Sequence, residues 1–284
     1  MAKSAPLFFL WCSLIPIVSC SQQVYTGLLT YEEYYRKKFS EPYILELQTN
    51  EGAGLLYYGS MHTTNLDDPQ FVDIEKRWMA FQPTVAYSES CVWPLVKSRE
   101  EAISRYGEQG LLRFLASRHK VPIKSIDSTR AQEAVYLKRY FDPEHIKIFY
   151  VLRQAVVNQN LGKDAESVGY VNRILRNLGK IDYYYRGNPR HLEEFEGRVH
   201  QLFPNLKDWK SISCSYFRSP NSENFLSKIH RKLNEFRDQH MLKSLLRGLG
   251  KGSRIFAVVG RSHVVMQEPV LRAEVARLNK EKKH

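Results

Sequence analysis

The sequence contains little cysteine and no apolar stretch long enough to cross a membrane. Four cysteines in 284 residues are too few for disulfides to hold the fold together. The longest apolar stretch, 7–18, is interrupted by Ser13 and Pro16 and is too short to span a hydrocarbon core of about 30 Å. The 12 prolines and 15 glycines are scattered, with neither a collagen period nor a repeat of solenoid length. These absences exclude disulfide-rich, polytopic membrane, fibrous and solenoid proteins.

Three common catalytic and nucleotide-binding motifs are also missing. The sequence has no H-E-x-x-H zinc motif, no G-x-S-x-G nucleophile elbow and no G-x-G-x-x-G motif after a predicted strand. The glycine-rich segment 248–253 superficially resembles a phosphate loop, but its spacing is wrong and it precedes a strand. We interpret this segment as the end of a helix.

The composition is that of an ordinary globular protein. Hydrophobic residues make up 43% of the chain and charged residues 25%, so one domain, or at most two, can bury a core. The net charge is +12, and the positive residues are dispersed along predicted helices. We therefore expect a basic surface that faces anionic lipid, and no nucleic-acid partner.

The first twenty residues have the pattern of an export signal: a positive start, the apolar stretch 7–18 and the ending Ile-Val-Ser-Cys. This ending resembles the bacterial lipobox, in which the cysteine becomes the acylated first residue after cleavage. We predict a lipoprotein signal peptide at 1–19 and an acyl group such as palmitate on Cys20. This anchor would hold the protein in the cell envelope, on the periplasmic or outer-membrane side or at the cell surface. A plain secretory signal is the alternative, and the spacing of Cys91 and Cys214 leaves open whether they form a disulfide.

Apolar periodicity predicts an α/β fold with a mostly parallel central sheet flanked by helices. Strands are predicted at 43–49, 55–59, 84–88, 122–126 and 254–259. The first two flank a glycine-containing loop and are expected to pair as a hairpin.

Helices are predicted between and after these strands. One begins at Asp67-Asp68-Pro69, the longest spans 222–246, and Pro269 is expected to begin the last. The first of these is expected to place one apolar face inward: Phe71, Ile74, Trp78 and Met79. We expect a linker at 20–42 and a single domain at 43–284, in which 129–205 form a helix-rich insertion.

The motif Gly-x-x-His occurs twice, each time at the end of an apolar strand. Gly59-Ser60-Met61-His62 ends the strand at 55–59, and Gly260-Arg261-Ser262-His263 follows the strand at 254–259. Ligands of open α/β sheets bind at the carboxyl ends of strands, so both imidazoles reach one crevice if these strands are neighbours. Glycine at the turn lets backbone segments approach closely. The duplication predicts that His62 and His263 are functional rather than ordinary structural histidines.

Two further strands bring a carboxylate to the same edge. Glu89 follows the strand at 84–88, and Asp127 follows the strand at 122–126. Two histidines and a carboxylate suit a divalent metal such as zinc or manganese, or base catalysis on water. For Asp127, capping of the next helix is a further alternative.

The order of these motifs resembles the TraB/TIKI family. The motifs are Gly59-x-x-His62, Glu89 at a strand end, Glu108 in a helix, Asp127, Arg237-Asp238-x-x-Met241 and Gly260-x-x-His263. The resemblance covers about 43–275 and extends to the superfamily of erythromycin esterases and ChaN-like haem-binding lipoproteins. Ser60 replaces the glutamate of the esterases, and Asp238 replaces an asparagine common in TraB/TIKI members.

The resemblance implies an α/β fold in which these side chains converge on one pocket. TIKI members are metal-dependent proteases, whereas the esterase relatives are thought to use histidine as a base on water. His62, His263 and Glu89 would accordingly bind manganese, cobalt or zinc, or would hold and deprotonate water. Arg237 would stabilise an anionic substrate group or an oxyanion, with a surface ion pair as its alternative role. Substrate-binding or supporting roles are expected for Glu108, Asp127 and Asp238.

We predict from these observations an exported, lipid-anchored hydrolase that acts on a peptide or small-molecule ester with a divalent metal. One alternative is a non-catalytic haem- or ligand-binding lipoprotein of ChaN-like type. Tyrosine and histidine can ligate haem iron, although clustered tyrosines such as 57–58 and 183–185 more often pack in cores. A regulator that binds a peptide signal is a third possibility.

Overall fold

The computed structural model describes residues 24–89, 93–160, 167–218 and 222–281. The predicted signal peptide at 1–19, the predicted acylation site Cys20 and one member of the possible disulfide, Cys91, lie outside the described residues. Cys214 is described and its side chain is exposed.

A five-stranded sheet forms the centre of the described chain. Its strands are β1 (Tyr43–Gln48), β2 (Gly54–Ser60), β3 (Val85–Ser88), β4 (Ile123–Ser125) and β5 (Arg254–Gly260). Their spatial order is β1-β2-β5-β3-β4. The predicted hairpin is confirmed, since β1 pairs antiparallel with β2, and all other neighbours are parallel. The predicted fold class, a mostly parallel α/β sheet flanked by helices, is therefore confirmed.

Helices occupy most of the remaining described chain. They are α1 (Tyr31–Arg36), α2 (Pro69–Phe81), α3 (Arg99–Arg118), α4 (Arg130–Leu137), α5 (Pro143–Asn160), α6 (Ser167–Ile181), α7 (Leu192–Leu202), α8 (Ser215–Arg218), α9 (Phe225–Gly250) and α10 (Arg261–Glu281). Among the described helices, none is both long and apolar enough to cross a membrane.

Both faces of the sheet are buried because successive strand side chains point to opposite sides. Leu56 and Tyr58 of β2 pack in one cluster with α2 and α3. Leu55 and Tyr57 pack in a second cluster with α9 and α10. Strands buried on both faces are nearly continuous apolar runs, which is why the sequence located them well.

The helices between β4 and α9 enclose a third cluster of their own. This helical stretch continues to Arg218, beyond the end at 205 expected from the sequence. Helix α9 joins the two regions, because Leu226, Ile229 and Leu233 belong to the helical cluster. Its second half packs on the sheet through residues such as Met241. The middle of α9 therefore lies where the sheet meets the helical region.

Two details of the helices differ from the sequence-based predictions. The last helix begins at Arg261, directly after β5, and Pro269 lies inside it. Proline lacks an N–H but has a helix-compatible φ, so Pro269 was wrongly interpreted as a helix start. The prediction that Met79 faces the core is also wrong, because it is 58% exposed.

Candidate functional site

Strands β2 and β5 are neighbours, so the two Gly-x-x-His motifs leave the sheet side by side. The parallel register pairs Gly59 with Val259 and Ser60 with Gly260. The condition on which the sequence argument depended is therefore met.

The glycine of each motif provides space for the other motif. A Cβ on Gly59 would lie 2.9 Å from the Cα of Arg261, and a Cβ on Gly260 would lie 3.0 Å from His62 Nε2. The second Cβ would also lie 3.4 Å from Glu89 Oε2. Steric space, rather than an unusual φ, is what requires glycine here. The two distances from the Cβ on Gly260 place His62 Nε2 and Glu89 Oε2 close to the same position beside Gly260.

His62 is bound by Glu108, whose carboxylate comes from α3. The distance from His62 Nδ1 to Glu108 Oε1 is 2.6 Å. The imidazole is 63% exposed, whereas the Glu108 side chain is only 4% exposed. Gly107 interrupts α3 just before this residue with a φ of 58°, and a Cβ there would lie 2.5 Å from the carbonyl oxygen of Thr63. A glycine thus lets the Glu108 segment approach the loop that carries His62.

His263 is bound by Asp238, whose carboxylate comes from α9. The distance from His263 Nδ1 to Asp238 Oδ1 is 2.6 Å, and Gln267 Nε2 donates to the same oxygen at 2.7 Å. The imidazole is 7% exposed and the Asp238 side chain is fully buried. Asp238 Oδ2 has no hydrogen-bond partner among the residues that the structure describes.

Glu89 lies between the two histidines. Its Oε1 accepts a hydrogen bond from Arg237 Nη2 at 2.8 Å and is 3.5 Å from His263 Nε2. Its Oε2 accepts from the backbone N–H of Gly260 at 2.5 Å. The carboxylate therefore connects the end of β3, the start of α10 and the middle of α9.

Arg237 is buried and paired with two carboxylates. Its Nε and Nη2 donate to the two oxygens of Asp127 at 2.9 and 2.7 Å, and Nη1 donates to Asn234 at 3.2 Å. A third carboxylate, Glu133, is 4.0 Å away. The alternative of an exposed ion pair on a helix face is wrong for Arg237. The capping alternative for Asp127 is also wrong, because the cap of α4 is Thr129.

The charges of the site shift the pKa of three members. The hydrogen bond with Glu108 raises the pKa of His62 to about 9. Burial alone lowers the pKa of His263, but the carboxylates of Asp238 and Glu89 outweigh burial and raise it to about 9. Burial alone raises the pKa of Glu89, but the charges of His263 and Arg237 hold it well below its usual range. Both imidazoles are therefore protonated at both ring nitrogens, and positively charged, at neutral pH.

The structure brings together all seven residues that the sequence analysis assigned to the pocket. Sequence reasoning missed Asn234 and Gln267, which bind Arg237 and Asp238. A helical-spacing search could have found them, since Asn234 precedes Arg237 by three positions and Gln267 follows His263 by four. Gln109 was also missed, and it connects Ser88 to the carbonyl oxygen of Val258.

The donor atoms fit a metal in part. Each histidine uses Nδ1 for a carboxylate, which is the arrangement of metal-ligating histidines, but the Nε2 of His263 already lies 3.5 Å from Glu89 Oε1. The third predicted ligand, Glu89, already accepts from Arg237 and Gly260. Among the described residues, no group of three histidine, cysteine or acidic side chains is placed to hold a metal ion. The metal stays a prediction, with His62 and His263 as its best-suited ligands.

The clustered tyrosines are mostly part of the core. Tyr57 donates to Gln267 at 3.1 Å, and Tyr185 donates to the carbonyl oxygen of Ala134. Tyr57 and Tyr58 are fully buried. Packing accounts for these side chains, and the haem alternative stays a prediction.

Comparisons with models of protein families, with curated proteins and with solved structures find no match for this chain. The resemblance to the TraB/TIKI family therefore stays a prediction that is based on the motifs quoted above.

Proposed function

We propose that the chain is a hydrolase that directs water at an ester or amide bond beside Gly260. The observation that carries this proposal is the pair of imidazoles at one sheet edge, each bound at Nδ1 by a carboxylate. Glu89 Oε1 is 3.5 Å from His263 Nε2, and Glu89 Oε2 and His62 Nε2 both approach Gly260. Two imidazoles that are each oriented through Nδ1 are suited to proton transfer from a reacting water and to a leaving group.

The two histidines have complementary roles in this proposal. The imidazole that has lost its proton accepts a proton from water, and the protonated imidazole donates one to the leaving group. The pKa of each imidazole is raised to about 9. The state in which one imidazole is neutral and the other is positively charged is therefore most populated near that pH. We therefore expect activity to increase from neutral pH towards pH 9.

Arg237 is proposed to position Glu89 rather than to bind substrate directly. Each nitrogen of its guanidinium already donates to a neighbouring oxygen. Stabilisation of a developing oxyanion requires donors directed at the reacting centre, but four of the five N–H groups of Arg237 are directed at Asp127, Asn234 and Glu89 instead. This differs from the role that the family resemblance implied.

A divalent ion is compatible with the same site. His62 and His263 would hold it through Nε2, and it would supply a water with a pKa lowered to about 7. We also propose that the protein is exported and anchored to lipid through Cys20, on the basis of the leader sequence alone.

Hydrolysis and metal content can be tested together on the purified protein. We expect hydrolysis of p-nitrophenyl acetate or of peptide p-nitroanilides by the parent and by His119→Ala, which changes an exposed histidine outside the site. The double variant His62→Ala/His263→Ala should be inactive. Stoichiometric manganese, cobalt or zinc in the parent but not in the double variant would establish a metal site. Equal activity of the parent and the double variant would refute the proposal.

A further inference from the structure

The N-terminal arm, residues 24–36, is bound to the two helices that carry the buried half of the site. Gln239 on α9 forms two hydrogen bonds with the backbone of Tyr25, at 2.8 and 2.7 Å. The backbone N–H of Leu29 donates to the carbonyl oxygen of Met266 on α10 at 3.0 Å. Gln239 follows Asp238 in the sequence, and Met266 precedes Gln267. The arm is therefore attached next to the residues that bind His263.

The arm ends in helix α1, which begins with a capping box. The side chain of Thr30 accepts from the backbone N–H of Glu33, and the carboxylate of Glu33 accepts from the backbone N–H of Thr30. Such a cap fixes the direction in which a short helix begins. Tyr31 is the first residue of α1, so the cap fixes the backbone from which its side chain extends.

Tyr31 is directed at the site face of α9. Its ring centroid is 5.7 Å from that of His230, and its hydroxyl interacts with Asn234. Burial and the nearby charge of Asp238 raise the pKa of Tyr31. The hydroxyl thus lies near the same helix segment that supplies Arg237 and Asp238. The contacts of Tyr31 with His230 and Asn234 join parts of the chain that are far apart in the sequence.

The two sides of the site differ in access. At His62 the imidazole is largely exposed, so a leaving group can depart there into solvent. On the other side His263 is almost fully buried, and the ring of Tyr31 lies over α9. An aromatic ring has few rotatable bonds and forms a rigid boundary.

We propose that Tyr31 forms the wall of the site on the α9 side and limits the length of the acyl group that a substrate can place there. This inference rests on the proposed hydrolase function. Tyr31 is a specificity-determining residue in this proposal, and the groups that transfer protons remain His62 and His263. Removing the ring leaves space that a longer acyl chain can fill.

The first test compares p-nitrophenyl acetate, butyrate and octanoate as substrates. We expect the parent to favour the short acyl groups. Tyr31→Ala should increase the ratio of kcat/KM for octanoate to that for acetate by about tenfold or more, because apolar contacts in a pocket discriminate by at least that factor. Tyr31→Phe keeps the ring and should keep the parent profile. Tyr183→Ala removes an exposed tyrosine of the helical region, whose ring lies against Arg186, and should also leave the profile unchanged.

The second test does not depend on activity. Diethyl pyrocarbonate modifies accessible imidazoles, and mass spectrometry reports each histidine separately. We expect Tyr31→Ala to increase the labelling of His230 several-fold, with exposed His119 as the internal reference. Gln239→Ala, which releases Tyr25, should act in the same direction, and it replaces Tyr31→Ala if that variant does not fold.

The outcomes separate this inference from the hydrolase proposal. Unchanged labelling of His230 in both variants would overturn the proposal that Tyr31 forms this wall. Increased labelling with an unchanged acyl-length profile would overturn the role in specificity. Increased labelling in a parent that cleaves no ester or anilide would refute the hydrolase proposal, and with it acyl selection, while supporting the wall. Increased labelling together with the shifted profile would support both.

Discussion

The two histidine–carboxylate pairs have the same local chemistry in different surroundings. In each pair 2.6 Å separates Nδ1 from a carboxylate oxygen. The imidazole of His62 is 63% exposed, whereas that of His263 is 7% exposed. The chain after Gly59 continues into a surface loop, but the chain after Gly260 enters a long helix at once. One motif therefore supplies an accessible imidazole and the other a buried one.

The carboxylates reach the shared edge from opposite faces of the sheet. Glu108 belongs to α3, which packs with Leu56 and Tyr58. Asp238 belongs to α9, which packs with Leu55 and Tyr57. The pairs are consequently held by different cores, and a change in one core need not move the other. Equivalent roles in the reaction do not require equivalent contributions to stability.

The largest expected effect is on turnover. Replacing either histidine by alanine should reduce kcat by about 10²–10⁴-fold, the usual contribution of a general acid or base. The double variant should lose little more than the more affected single variant, because the general base and the general acid serve the same reaction and their effects are not additive. Ester hydrolysis by His62→Ala, His263→Ala and the double variant measures this. Full activity in one single variant would show that the two pairs do not serve one reaction.

The next effect concerns the free energy of unfolding. Asp238→Asn should reduce it by about 3 kcal/mol, because His263 is buried and loses its counter-charge. Glu108→Gln should reduce it by about 1 kcal/mol, because His62 keeps its contact with water. Urea denaturation at pH 7 of these two matched amide variants provides the comparison. Equal losses would mean that the difference in exposure has no energetic consequence.

The smallest effect is the pH dependence of stability. Both histidines have a folded-state pKa of about 9, above the ordinary value of 6.5. The folded state therefore binds more protons, so this stabilisation is complete below pH 6.5 and is lost as pH rises through about 9. Between these two pH values, the proton that His263 retains in the folded state makes the free energy of unfolding fall by up to about 1.4 kcal/mol per pH unit as pH rises. The contribution of the exposed His62 to this slope is smaller.

Variants can assign this slope to each pair. Urea denaturation between pH 6 and 9.5 should show a greater loss of slope in Asp238→Asn than in Glu108→Gln. Taking differences from the parent removes the contribution of Lys147, since burial lowers its pKa to about 8 in all three proteins. Stability of the parent that increases with pH between 6.5 and 8 would contradict the assigned protonation states.

Much of the fold could be predicted from the sequence because the strands are continuous apolar runs between turn residues. The strand expected at 254–259 is observed at Arg254–Gly260, and that expected at 84–88 is observed at Val85–Ser88.

The start of α10 was missed, because the sequence signal of Pro269 is compatible with two positions in a helix. Tyr31 was missed for another reason: its contacts with α9 involve residues about 200 positions away.

The sequence by itself determined which side chains end the strands, since period and turn residues are local properties. Glu89 and both Gly-x-x-His motifs could be placed at one sheet edge on that basis. Only the tertiary structure decided the partners: Glu108 for His62, Asp238 for His263 and Asp127 for Arg237. These contacts depend on how α3 and α9 pack on opposite faces of the sheet. Such packing is set by the combined fit of many buried side chains, which no local pattern encodes.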